Sequence, residues 1–173
     1  IAVDAMGGDN SPEKVVNGII HHSSTNNNVF YKIFGDKKKI DKFLDNKIDS
    51  KKYQIIDTVN EVLSEDSPLE AAKRGKDTSM WLAIESVKNK DCDIVISAGN
   101  TGALLVISKL NLKMIENIDK PALSGLWPSK KGMSVVLDLG ANIECSSKNL
   151  IDFSIMGSSL FRSLYPDESA KVA

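Results

Sequence analysis

The chain has 173 residues, 42% of them hydrophobic and 26% charged, enough apolar material for the core of one domain and too ordered a composition for a disordered or fibrous protein. Its formal net charge of −1 provides no global field for nucleic acid, and Arg74 and Arg162 are its only arginines. Cys92 and Cys145 stand far apart without a C-x-x-C pair, which argues against a zinc site or a disulfide scaffold; with no leader-like start and no bilayer-length apolar run, a cytoplasmic protein is expected.

In chain order, Ile1 to Ala5 reads as a strand, followed by the turn Met6-Gly7-Gly8-Asp9-Asn10. Ser11-Pro12-Glu13 then predicts a helix start, with the Ser11 hydroxyl at N-cap, Pro12 at N1 and an apolar face of Val15, Val16, Ile19 and Ile20. His21 and His22 fall at its end, where cations are favoured. Val29 to Phe34 reads as a second strand, Lys37 to Asn46 as a charged helix and Tyr53 to Ile56 as a third strand. Ser67-Pro68-Leu69-Glu70 is a capping box with Pro at N1, and a further helix is predicted from near Asp77 or Thr78.

The stretch from Asp93 to Leu112 organises the rest. Ile94, Val95 and Ile96 are β-branched without polar alternation, which predicts a strand buried on both faces, and an apolar helix follows the turn from Ser97 to Gly102. Beyond it, Leu123 to Trp127 reads as a strand ended by Pro128, Lys130-Lys131-Gly132 as a turn and Met133 to Leu137 as a strand. Asp138 to Asn142 forms a loop, and a final helix near Lys148 to Tyr165 carries Ile151, Ile155, Leu160 and Leu164. Strands alternating with helices predict an α/β fold, a mostly parallel sheet with helices on both faces, as a single domain over residues 1–173 that reads as the N-terminal half of a longer chain.

Ligands of an open parallel sheet bind beyond the carboxyl ends of its strands. Three loops there carry small residues beside polar ones, namely Asp4 to Asp9, Ser97 to Gly102 and Asp138 to Asn142. Their convergence predicts a backbone-lined pocket for an anion, because a helix start presents unpaired N–H groups and a partial positive charge. The P-loop, the dinucleotide G-x-G-x-x-G and the G-x-S-x-G elbow are all absent. Carboxylates such as Asp4, Asp9 and Asp138 more often cap turns than hold Mg²⁺, so neither metal nor cofactor is expected.

Asp4-Ala-Met-Gly-Gly-Asp9 with Pro12-Glu13, Asp66-Ser-Pro68, Lys76-Asp77 before Ser79-Met80, Ser97-Ala-Gly-Asn-Thr-Gly-Ala103, Gly140-Ala-Asn142 and Met156-Gly-Ser158 closely resemble the PlsX-type phosphate acyltransferases of bacterial phospholipid synthesis. The resemblance covers the whole chain. It implies an isocitrate/isopropylmalate dehydrogenase-like fold and transfer of a long-chain fatty acyl group from acyl carrier protein to inorganic phosphate. It also implies a homodimer that associates peripherally with the inner face of the membrane and feeds acyl phosphate to a membrane glycerol-3-phosphate acyltransferase. Two positions depart from the family's pattern: Asn10 replaces a usual His and Gly75 a common basic residue, lowering the charge expected around phosphate.

A thioester is already activated and phosphate is partly dianionic at neutral pH, so the protein's task is to hold and orient. Lys76, Asn100 and Thr101 are the expected catalytic residues, Lys76 as countercharge or donor to the leaving thiolate, the other two as orienting donors. Asp4, Gly7, Gly8, Asp9, Ser97, Gly99, Gly102, Asp138 and Asn142 are expected to shape the substrate pocket. An acyl-enzyme on Cys145 is a competing route, less favoured than direct transfer. The alternatives in function are an acetyl- or butyryltransferase that uses acyl-CoA and a non-catalytic phosphate-binding domain.

Overall fold

Four short strands frame the N-terminal unit. In this computed structural model, which describes residues 1–130 and 132–173, β1 (Ala2–Asp4), β2 (Tyr31–Gly35), β3 (Tyr53–Asp57) and β4 (Val95–Ser97) lie in the order β3-β2-β1-β4 with every pair parallel. Successive side chains of a strand point to opposite faces. Val3, Tyr31 and Ile33 therefore pack with Val16 and Ile19 of α1 (Glu13–Thr25) and Ile40 and Leu44 of α2 (Lys37–Leu44). Ala2 and Phe34 meet Ala83 of α4 (Ser79–Lys88) on the other side. The α/β class and the parallel sheet flanked by helices follow the alternation of elements in the sequence.

A second apolar cluster joins α4 to α3 (Pro68–Arg74) and α5 (Thr101–Leu112) through Ala71, Met80, Trp81, Ile84, Ala103 and Ile107. Local signals set these helix starts. Ser67 Oγ accepts from the Glu70 N–H while the Glu70 carboxylate accepts from the Ser67 N–H, and Pro68 occupies N1, as the capping box predicts. Thr78 caps α4 by accepting from the Trp81 N–H. The start of α1 differs from expectation. No side chain caps it; Ser11 Oγ instead donates to the Gly7 carbonyl, because the preceding glycine turn folds back within its reach.

The organising strand also differs. Ile94 and Ile96 are about half exposed, at 51% and 50%, rather than buried on both faces. The reason is position. Among the described residues β4 is the edge of this sheet, paired with β1 alone, and an apolar groove of about 360 Å³ runs beside it between Val3, Val15, Ile19, Ile96 and Ala98. At the end of α1, His22 Nδ1 lies 2.6 Å from the Tyr31 hydroxyl, and burial pushes that phenol above its ordinary pKa.

The chain divides into two compact units, Ile1–Lys113 and Met114–Ala173. In the second, β5 (Ser124–Ser129) and β6 (Gly132–Leu137) form an antiparallel ribbon, and α6 (Ser147–Leu164) packs on β6. Pro128 lies within β5, opposite Met133, rather than ending the strand, since a two-stranded ribbon leaves an outer side where no N–H is needed. Lys131 of the expected turn falls outside the described residues. On α6 the buried residues are Asn149, Asp152 and Phe153, while Ile151, Ile155, Leu160 and Leu164 are exposed. Among the described residues no helix is long and apolar enough to cross a membrane.

Candidate anion site at the start of helix α5

Two of the three predicted loops meet. β1 and β4 are neighbours, with Asp4 in register with Ser97, so the turns that leave their carboxyl ends emerge side by side. Their glycines then permit backbone-on-backbone packing. A Cβ on Gly7 would lie 2.7 Å from Asp4 Oδ2 and 2.8 Å from the Gly99 nitrogen, and one on Gly8, at φ +91°, would lie 2.5 Å from the Ala98 carbonyl oxygen. The glycine requirement at these positions thus comes from one loop pressing on the other.

Asp4 is the buried hub of that junction. Its carboxylate accepts from Ser79 Oγ at 2.7 Å, Ser97 Oγ at 2.7 Å and the Met6 N–H at 3.2 Å, with 1% of the residue exposed. Ser97 Oγ in turn accepts from the Gly99 N–H at 3.1 Å. Asp4 and Ser97 therefore brace the two turns through one shared hydrogen-bond network. Ser79 was not among the expected site residues; it lies 75 residues from Asp4, and only the fold joins them.

At the rim, Asn100 caps α5. Its Oδ1 accepts from the Ala103 N–H at 3.0 Å, and its Nδ2 donates to the carbonyls of Asp66 at 2.8 Å and Ser64 at 3.1 Å, with the Leu63 carbonyl at 3.5 Å. The expected orienting donor has thus spent both amide hydrogens on the neighbouring loop. The groups left open are different ones. Among the described residues the N–H groups of Thr101 and Gly102 have no partner, and Thr101 is exposed at the first position of a 12-residue helix. Pro68 at the start of α3 lies against Gly102, where a Cβ would come within 2.7 Å of its Cγ.

Lys76 is exposed in the short connection between α3 and α4 and has no ion-pair partner among the described residues. Beside it, Asp77 accepts from Asn60 Nδ2 at 2.6 Å, and its carbonyl accepts from the Thr58 hydroxyl. Asp9 is exposed in the first turn and, among the described residues, its side chain has no hydrogen-bond partner. Sequence reasoning passed over the loop from Thr58 to Glu65, which carries no glycine-rich signal, and took Asp66 only as part of the Asp66-Ser-Pro68 motif. The structure clamps it here through Asn100 and through the ion pair between Arg74 and Asp66.

The third loop belongs to the other unit and has its own network. Asn142 Nδ2 donates to Asp138 Oδ1 and to the Pro121 carbonyl, both at 2.9 Å, and Asp138 adopts φ +63°. Cys145 Sγ lies 3.5 Å from Asp138 Oδ2. Desolvation, then that carboxylate, hold its thiol above the ordinary range, with Lys120 opposing. A thiol so placed is a poorer nucleophile at neutral pH, contrary to what an acyl-cysteine route needs. Among the described residues no group of three or more His, Cys, Asp or Glu is placed to hold a metal ion.

The family model described as fatty acid synthesis protein matches residues 1–173. A phosphate acyltransferase of Pelagibacter ubique is 74% identical over 173 residues, covering 100% of this chain and 52% of its own. Phosphate acyltransferases of Ehrlichia chaffeensis and Paramagnetospirillum magneticum are 43% and 40% identical, over 100% and 91% of this chain and 53% and 45% of theirs. The chain spans about half the length of the curated relatives it matches.

Proposed function

Because the chain belongs to the fatty acid synthesis protein family, we propose that the protein of which it forms a part is a phosphate acyltransferase that moves a long-chain acyl group from acyl carrier protein to inorganic phosphate. The observation that carries this reading is the pair of unpartnered N–H groups at Thr101 and Gly102, opening the α5 dipole beside an exposed hydroxyl. Phosphate seated there is a nucleophile in its own right. One of its oxygens bonds to the thioester carbonyl carbon, the carbon–sulfur bond breaks, and the departing thiolate takes a proton.

Fixing phosphate against the carbonyl removes as much as ~7 to 11 kcal/mol of barrier, and one donor aimed at the oxyanion adds about 3 kcal/mol. Lys76 supplies the countercharge or the proton for sulfur. Thr101 orients phosphate, and Asp4, Ser97, Gly7, Gly8 and Gly99 hold the turns in place. Asp9 and Gly102 shape the rim of the same site, and Asp138 with Asn142 orders the loop of the second unit. The product is an acyl phosphate for phospholipid synthesis. In this reading the enzyme works as a cytoplasmic homodimer, associates peripherally with the membrane and passes its product to a glycerol-3-phosphate acyltransferase.

The test is incubation of the full-length protein with phosphate and palmitoyl carrier protein, trapping acyl phosphate as its hydroxamate. Turnover only with short acyl-CoA would replace this reading by an acetyl- or butyryltransferase. Phosphate binding by calorimetry with no hydroxamate formed would leave a binding domain.

A further inference from the structure

We propose that Asn100 is a positioning residue, whose side chain fastens the loop from Leu63 to Asp66 over the first turn of α5 and so keeps the Thr101 and Gly102 N–H groups aimed at bound phosphate. The inference rests on the phosphate reading above for its catalytic consequence.

The geometry allows one orientation of the amide. The Ala103 N–H can be met only by Oδ1, and the three carbonyls of Leu63, Ser64 and Asp66 only by Nδ2, so donor and acceptor are assigned without ambiguity. With both hydrogens committed to Ser64 and Asp66, Nδ2 has none left for phosphate. What the side chain does instead is join two segments that lie 34 to 37 residues apart in sequence.

The same loop has a second anchor. Asp66, whose side chain is 7% exposed, pairs with the Arg74 guanidinium through Oδ1 and accepts the Leu63 N–H at 2.8 Å through Oδ2. Two residues beyond Asp66 stands Pro68, pressed on Gly102. The loop is therefore held from the α5 side by Asn100 and from the α3 side by Arg74, and it leads through Ser67 to the residue that packs against one of the two open N–H positions. Loss of either anchor frees the same wall.

Asn100→Ser separates the two jobs of this residue, because serine is also a good N-cap but cannot reach three carbonyls. In the full-length enzyme the KM for phosphate is expected to rise roughly tenfold, the worth of about two lost hydrogen bonds, with kcat within about threefold. Arg74→Gln is expected to raise KM about threefold, and the double variant to exceed Asn100→Ser by less than about twofold, since both act through one loop. Hydrogen exchange in peptides covering residues 62–68 should quicken in Asn100→Ser and not in Thr101→Val.

A large fall in kcat at unchanged KM, or fully multiplicative effects in the double variant, overturns the proposal and makes Asn100 a group that acts on the reacting atoms. A wild-type enzyme that forms no acyl phosphate defeats the acyltransferase reading instead. Exchange still decides the brace in that case: an unaltered rate at residues 62–68 in Asn100→Ser refutes it.

Discussion

Ser97 donates its hydroxyl to Asp4 Oδ2 at 2.7 Å, tying the carboxyl ends of β4 and β1 into one rim across 93 residues of sequence. Removing the carboxylate orphans two hydroxyls and an N–H in a buried place. Asp4→Ala is accordingly expected to lower the unfolding free energy by about 3 kcal/mol, and a loss under about 1 kcal/mol in urea titrations would contradict the hub assigned to it. Asp4→Asn, which keeps an acceptor, should cost less.

Glycines in this chain differ in what surrounds them, and the difference is measurable. A Cβ on Gly99 would lie 3.1 Å from Gly7 Cα and 3.1 Å from Met80 Cε, whereas Gly18 in α1 has open space. Gly18→Ala is expected to stabilise by roughly 0.5 to 1 kcal/mol through helix propensity alone. Gly99→Ala should lower both the melting temperature and phosphate affinity. Equal melting temperatures for the two variants would argue against close loop packing.

Lys76 and Thr101 are exposed, so their removal should touch activity and spare the fold. For Lys76→Ala we expect at least roughly a tenfold loss in kcat/KM, the scale of one charge-assisted hydrogen bond, with partial recovery in Lys76→Arg. Thr101→Val should lose about three- to tenfold. Wild-type rates at unchanged stability would remove both from the mechanism.

Cys145 offers a prediction in pH. Desolvation and Asp138 favour the neutral thiol, so its thiolate fraction at neutral pH is smaller than that of an ordinary cysteine. Alkylation by iodoacetamide should be slow near pH 7 and accelerate as pH rises through the elevated pKa, and Asp138→Asn should move that midpoint down. Cys145→Ser should keep acyl transfer. Fast alkylation at neutral pH together with an inactive serine variant would restore the covalent route.

Much of the local architecture was legible in the residues themselves. The capping box at Ser67 to Glu70, the helix start at Thr78, the strand-turn-helix at Ser97 to Gly102 and the α/β alternation depend on contacts within a few residues, which a linear sequence displays. Asn100 shows where that reach ends. Its place in the turn before α5 was readable, but its role as cap was not, and the carbonyls that consume its amide come from residues 63, 64 and 66.

The sequence by itself determined which segments become helices and strands and that glycine turns must leave β1 and β4, since backbone sterics and capping chemistry act locally. Only the tertiary structure decided that β4 is an edge with Ile94 and Ile96 half exposed, that Asp4 is a hub rather than a rim carboxylate, and that Thr101 and Gly102 keep the open N–H groups. Each of these turns on which distant atoms arrive to satisfy a polar group or cover an apolar one. Spacing along a chain leaves that choice open.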